Sequence, residues 1–166
     1  EDIALGLRDV GFILLGARLI DVVADPVIGW LGDRLTTRLG RRRPWLVAAA
    51  PLAAIALWML FVPASGAGRL HLFLWSALLY LAWTMIQLPY TAWGAELSHD
   101  YHERSRIAGT REVLVIAGTL MAIALPPALL GMEADRAASL GLLAQVLIVL
   151  LPAAIIVAVA AVPEPP

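Results

Sequence analysis

Three charged residues, Arg18, Asp21 and Asp25, interrupt an otherwise apolar stretch near the beginning of the chain. Their spacings of three and four residues place them on one face of a helix. Insertion of such a group at the centre of a bilayer costs about 2.5–3.5 kcal/mol for each residue. Because three such costs are too high for a surface in contact with lipid, we expect this polar stripe to face other helices or a water-filled cavity.

The two carboxylates of the stripe could bind a monovalent cation. Hard cations prefer oxygen ligands of this kind, and Asp21 and Asp25 could share one Na⁺ or hold one proton, with Arg18 tuning their charge. Pro26 has no N–H, so the carbonyl of Val22 loses its helical partner and could be a further ligand. Two plainer interpretations stay open: the three charges only neutralise each other and lock the bundle, and Pro26 only shapes the helix for packing.

A second set of polar residues, Thr84, Gln87 and Thr91, has the same three- and four-residue spacing in a later apolar stretch. This spacing places them on one helical face, the arrangement expected of a polar wall along a transport pathway. Hydrogen bonds between helices, which contribute about 0.6–2 kcal/mol each, are the alternative explanation.

The elements that must position these residues are membrane-spanning helices. Of the 166 residues, 61% are hydrophobic and 15% are charged, whereas globular domains are about 45–50% apolar and about 25% charged. Since roughly 20 apolar residues cross a bilayer, the sequence predicts an all-α, polytopic transmembrane helix bundle with spans at about 10–32, 45–62, 70–95, 107–130 and 140–162.

Several other classes of protein and site are disfavoured by the composition. The chain has no cysteine and a net charge of −1, so we expect no disulfide framework, no thiolate metal site and no basic surface for nucleic acid. It also lacks a P-loop, a zinc-protease motif and a nucleotide-binding glycine fingerprint. We therefore expect no enzymatic activity, no resident metal and no cofactor other than a coupling ion.

The distribution of arginine predicts the orientation in the membrane. Arginine is abundant in the connections after the first and third spans and scarce in those after the second and fourth. Arginine-rich connections remain in the cytoplasm. We therefore expect a multi-pass protein of the cell membrane whose N-terminal end lies outside and whose C-terminal end lies in the cytoplasm.

The order of these residues resembles the signature of the glycoside–pentoside–hexuronide:cation symporters, the melibiose-carrier-like branch of the major facilitator superfamily. Residues 21–45 read Asp-x3-Asp-Pro-x2-Gly-x3-Asp-Arg-x5-Gly-Arg-Arg-Arg-Pro-Trp. Residues 89–97 read Pro-Tyr-x3-Gly-Ala-Glu-Leu and residues 101–106 read Tyr-His-Glu-Arg-x-Arg. The resemblance implies helices two to six of a twelve-helix transporter, whose first helix and C-terminal half would be absent from a fragment of this length.

The resemblance also implies roles for individual residues. Asp21, Asp25 and Thr84 would form the cation site, and Gln87 and Arg111 would lie in the sugar site. Beside these two residues, we expect Arg18 and Thr91 to bind substrate. Melibiose-type members carry an acid at the position of Gln87 and an aromatic residue at the position of Thr91. A lipid-like or other organic solute therefore stays open beside a sugar.

A group of charged residues near the arginine-rich connections resembles a cytoplasmic gate. Asp33 ends the first span, where the helix dipole disfavours a carboxylate unless a cation pairs with it. We expect a charge network that latches one conformation, or alternatively an anchor on anionic lipid, formed by Asp33, Arg34, Arg41, Arg42, Glu96 and Arg104.

These patterns predict cation-coupled (Na⁺ or H⁺) transport by alternating access, and the resemblance implies symport of a sugar or glycoside. The expected partners are a small solute, the lipid bilayer, and the remaining helices of the same transporter. Two alternatives stay open: a major facilitator carrier of a lipid-like solute, and a structural membrane protein whose charged stripe only mediates assembly.

Overall fold

The computed structural model describes residues 6–35, 37–62, 67–98, 100–131 and 135–163. In these ranges the chain forms five α-helices with short connections. They are α1 (Leu7–Arg34), α2 (Arg43–Phe61), α3 (Arg69–Glu96), α4 (Tyr101–Leu130) and α5 (Arg136–Ala161). This arrangement confirms the predicted all-α fold.

Local sequence explains where two of the helices begin. Helix α2 has Pro44 in its first turn, where the missing N–H of proline costs no hydrogen bond. Helix α4 starts at Tyr101 rather than near residue 107, because the Asp100 side chain accepts hydrogen bonds from the backbone N–H groups of His102 and Glu103. This cap extends the helix into a polar segment that hydropathy alone assigns to a loop.

Four of the described helices, α2, α3, α4 and α5, are long and apolar enough to cross a membrane. Helix α1 has 28 residues and continues through Pro26, but Arg18, Asp21 and Asp25 make it too polar to qualify by composition. The chain is therefore a multi-pass membrane protein, and the assignment of α1 as a span stays a prediction.

Helix α3 lies at the centre of the described fold. It packs against both α1 and α2, and α5 packs against α2. Arg69 at the start of α3 pairs with Asp9 at the start of α1, and Glu96 at the end of α3 is linked through Arg42 to Asp33 near the end of α1. Helices α1 and α3 therefore run parallel, with corresponding ends at the same level.

Small residues let these helices approach closely. The buried face of α2 includes Ala49, Ala53 and Ala56, which is typical of contacts between helices in membranes. On α1, a Cβ atom at Gly16 would lie 3.2 Å from the Phe73 side chain of α3. Close packing of α1 on α3 is what brings the polar residues of the two helices together.

Candidate functional site

The hydroxyl group of Thr84 lies between the two carboxylates of the polar stripe. Its Oγ1 is 2.6 Å from Oδ1 of Asp21 and 2.9 Å from Oδ1 of Asp25. Thr84 itself is buried, with 4% of its surface exposed. The parallel packing of α1 on α3 thus brings together the three residues that the resemblance assigns to one cation site.

The geometry leaves this cluster short of positive charge. A threonine hydroxyl has one proton to donate, so it can satisfy only one of the two carboxylate oxygens at a time. Two ionised carboxylates this close together repel each other unless a cation or a shared proton lies between them. Two carboxylates and a hydroxyl are also the oxygen ligands that a hard cation prefers. The cluster can therefore hold a monovalent cation or a proton.

Arg18 lies beside this cluster rather than within it. Its Nη1 is 3.8 Å from Oδ2 of Asp21, which is within ion-pair distance but too long for a hydrogen bond. The Arg18 side chain is 66% exposed, whereas that of Asp21 is 14% exposed. The guanidinium carbon lies 5.0 Å from the centre of the Tyr80 ring on α3, within the range of a cation–π contact.

The other expected substrate-binding residues occupy different environments. Gln87 is exposed on the surface of α3. Thr91 is half-buried, and its hydroxyl donates to the carbonyl oxygens of Gln87 and Leu88 in its own helix, at 2.8 and 3.0 Å. Thr84 is buried against α1 instead, so the three polar residues of α3 differ in their exposure.

Thr91 and Arg111 line a common cleft. This cleft has a volume of about 610 Å³ and lies between the end of α3, the first half of α4 and the end of α5. Most of its lining is apolar, and Arg104 contributes a second cation. The cleft is therefore amphipathic, with two arginines seven residues apart on one helix.

A charge network joins three helix ends around Arg42. This guanidinium donates to Asp33 at 3.1 Å and to Glu96 at 2.7 Å, and its side chain is only 8% exposed. The hydrogen bond with Glu96, more than any other contact, raises the pKa of Arg42 above its ordinary value. Arg42 therefore remains charged throughout the physiological pH range.

Of the other arginines expected in the gate, one joins this network and two have different neighbours. Arg41 donates to Asp33 at 3.3 Å and so belongs to the network. Arg34 lies over the ring of Trp30, 4.2 Å from its centre. Arg104 lines the cleft described above.

The sequence analysis did not single out three further residues, two of which have a recognisable signal in the sequence. Tyr80 precedes Thr84 by four residues and so shares its helical face. Arg43 belongs to a run of three arginines and donates to the carbonyl oxygen of Val162 at the end of α5, at 2.8 Å. Trp93 is buried, and its Nε1 donates to the carbonyl oxygen of Pro163 at 3.1 Å.

Comparison with known proteins identifies a family. Residues 2–165 match the profile of the family described as MFS/sugar transport protein. The chain is 32% identical to sll1374 of Synechocystis, named as an uncharacterized symporter, over 69% of this chain and 23% of that protein. It is 33% identical to the mouse sodium-dependent lysophosphatidylcholine symporter 1, over 72% of this chain and 24% of that protein.

A third relative is YagG of Escherichia coli, named for a suggested glycoside/cation symport, with 34% identity over 70% of this chain and 26% of YagG. The chain thus spans about a quarter of the length of these relatives. The family match covers nearly every residue of the chain, and it confirms the resemblance found in the sequence. The chain belongs to the MFS/sugar transport protein family.

Proposed function

We propose that this chain is part of a secondary active transporter that moves a small solute together with Na⁺ or H⁺. Asp21, Asp25 and Thr84 bind the coupling cation between α1 and α3. Cation binding joins the two helices and favours the arrangement that accepts solute, and the transporter then alternates between outward-facing and inward-facing states.

The observation that carries this proposal is the position of one buried hydroxyl between two carboxylates. Thr84 lies within 2.9 Å of a carboxylate oxygen from each of Asp21 and Asp25. A purely structural role would be better served by direct hydrogen bonding of Arg18 to an acid, whereas Nη1 of Arg18 lies 3.8 Å from Oδ2 of Asp21. The relatives named as symporters support the same function.

The network around Arg42 is proposed as the cytoplasmic gate. It joins the ends of α1 and α3 to the start of α2, and the arginine-rich connections lie at this same end of the bundle. The rule that arginine-rich ends remain in the cytoplasm then puts the start of α1 outside. Asp33 and Glu96 hold the closed state through Arg42, and loss of these contacts opens the cytoplasmic side.

The proposed solute is a sugar or a glycoside, in agreement with the description of the family. A second candidate is an amphiphilic solute such as a lysolipid. The amphipathic cleft with Arg104 and Arg111 favours it, because an apolar wall and two cations suit a molecule with a long tail and an anionic group. Arg111 takes part in solute binding under either alternative.

The test is uptake by the full-length gene product in proteoliposomes, with and without an inward Na⁺ or H⁺ gradient. Asp21→Asn and Asp25→Asn should each abolish gradient-driven uptake. Asp9→Asn, the same chemical change near the start of the same helix, should retain it. Uptake that responds equally to the gradient in all four proteins would refute the proposed cation site.

The same preparation separates the two solute classes. Labelled glycosides and labelled lysophospholipids are offered under the gradient that drives transport. Saturable uptake of a glycoside, competed by other sugars, supports the first candidate. Uptake of lysophospholipid alone would refute the sugar assignment while leaving the cation site intact.

A further inference from the structure

The guanidinium group of Arg18 has two neighbours that attract it, one on each of the two helices. One is Asp21, on its own helix, with an N–O distance of 3.8 Å. The other is the ring of Tyr80 on α3, whose centre is 5.0 Å from the guanidinium carbon. Both attractions are electrostatic, the first to a full negative charge and the second to the electron-rich face of a ring.

In the absence of the ring, Arg18 would be a strong competitor for the carboxylates. Arginine binds carboxylate oxygens in pairs, through two parallel N–H donors. It is three residues from Asp21 on the same helix, so its effective concentration near the acid is high. An arginine bound in this way would supply the positive charge that the cluster lacks and would exclude a free cation.

We propose that Tyr80 is a positioning residue that keeps Arg18 beside the acidic pair, so that the coupling cation and not Arg18 occupies it. This inference rests on the proposed function of Asp21, Asp25 and Thr84. It adds that the affinity for the cation is set by competition with a tethered arginine, and that the ring of Tyr80 determines the outcome of the competition.

The arrangement on α3 supports this role. Tyr80 and Thr84 are four residues apart, so one face of α3 presents the ring to Arg18 and the hydroxyl to the acids. Helix α1 presents Arg18 and the acids in the same order along its own face. Since the two helices run parallel, each group of α1 meets its partner on α3 at the same level.

The experiment measures, in the full-length protein, the cation concentration that gives half-maximal uptake or half-maximal thermal stabilisation. Two measurements are used: gradient-driven uptake, and thermal stabilisation of the purified protein by NaCl against choline chloride or, for a proton-coupled protein, by lowering the pH. Tyr80→Leu should raise this concentration roughly twofold to fivefold, the range expected for loss of a cation–π contact made by an exposed guanidinium group. Tyr80→Phe keeps the ring and should stay within about twofold of wild type.

A double substitution distinguishes positioning from packing. In an Arg18→Gln background the competitor is absent, so Tyr80→Leu should no longer raise the half-saturating concentration. Trp83→Leu, which removes an exposed ring from the same helix, is the matched control and should behave like wild type. An equal increase from Tyr80→Leu with and without Arg18 would overturn the inference, and so would no increase at all.

Failure of the inference can be told apart from failure of the proposed function. If wild type responds to the cation, Asp21→Asn does not, and Tyr80→Leu matches wild type, the cation site stands and only the role of Tyr80 is wrong. If wild type and Asp21→Asn respond identically, the proposed cation site is wrong and the inference falls with it.

Discussion

The side chains of Arg42 and Glu96 meet at 2.7 Å although the two residues are 54 positions apart in the sequence. Arg42 precedes α2 and Glu96 ends α3, so this contact fixes the start of one helix against the end of another. Arg42 also donates to Asp33 near the end of α1. Three helices are therefore tied at one end through a single guanidinium group.

Substitutions in this network should destabilise the protein in a definite order. Arg42→Ala removes a nearly buried side chain that joins two acids, and we expect it to lower the free energy of unfolding by about 1–3 kcal/mol. Asp33→Asn should cost less than about 1 kcal/mol, because the Asp33 side chain is 64% exposed and solvent screens its charge. Apparent melting temperatures of the full-length protein in detergent check this order. Equal losses for both variants would contradict the central role of Arg42.

The hydroxyl group of Thr84 should be required for tight cation binding. Thr84→Ala leaves the fold intact and removes one oxygen ligand, so we expect the half-saturating cation concentration to rise by about tenfold or more, equivalent to about 1.5–3 kcal/mol for a hydrogen bond to a charged group. Thr84→Ser keeps the hydroxyl and should restore most of the affinity. Cation-dependent uptake measures both variants. A serine variant as weak as the alanine variant would show that the methyl group of Thr84 matters instead.

Trp93 should contribute to stability through its indole N–H as well as through its volume. The side chain lies in a cluster with Leu46, Ala50 and Ile155, and its N–H bonds the carbonyl oxygen of Pro163. We expect Trp93→Phe to cost about 1–3 kcal/mol and Trp93→Ala about 3–5 kcal/mol. Thermal unfolding of the full-length protein tests this. A phenylalanine variant as stable as wild type would mean that the hydrogen bond contributes nothing.

Close packing at Gly16 should be necessary for the cation site, even though this residue touches no ion. Leucine at this position would collide with Phe73, because a Cβ atom already lies 3.2 Å from that ring. We expect Gly16→Leu to separate α1 from α3, to cost about 1–3 kcal/mol of stability and to weaken cation binding. Gly11→Leu, where a Cβ meets no atom within 4 Å, is the control. Equal cation affinity in the two variants would contradict the prediction.

The length of the apolar stretches predicted the helices, and local spacing predicted the polar stripe, because both are properties of short segments of sequence. The three- and four-residue intervals among Arg18, Asp21 and Asp25 were sufficient to place them on one face. The start of α4 was not predicted, because the Asp100 cap overrides the low hydropathy of the residues that follow it. Local spacing also did not predict which residue would contact the polar stripe. The expectation that Thr84 joins Asp21 and Asp25 came from the family resemblance.

Contacts between residues that are distant in the sequence could not be predicted from it. Arg41, Arg42 and Arg43 are chemically identical neighbours, yet their contacts differ. Arg41 and Arg42 share Asp33 as a partner. Arg42 bridges two acids, whereas Arg43 reaches the end of α5. Their directions depend on the turn at Gly40, which has a φ of 102°, and on how α5 packs against α2. Neither can be read from the order of residues.

The contacts among Asp21, Asp25 and Thr84 depend on how the parallel helices α1 and α3 are aligned along their axes. One residue of an α-helix advances about 1.5 Å along the axis, so a displacement of that size in either direction would lengthen the distance from the Thr84 hydroxyl to one of the two carboxylates. An ion held by all three groups would resist such a displacement in either direction. The cation would thus act as a lock on the relative translation of two helices, and its release would free that motion.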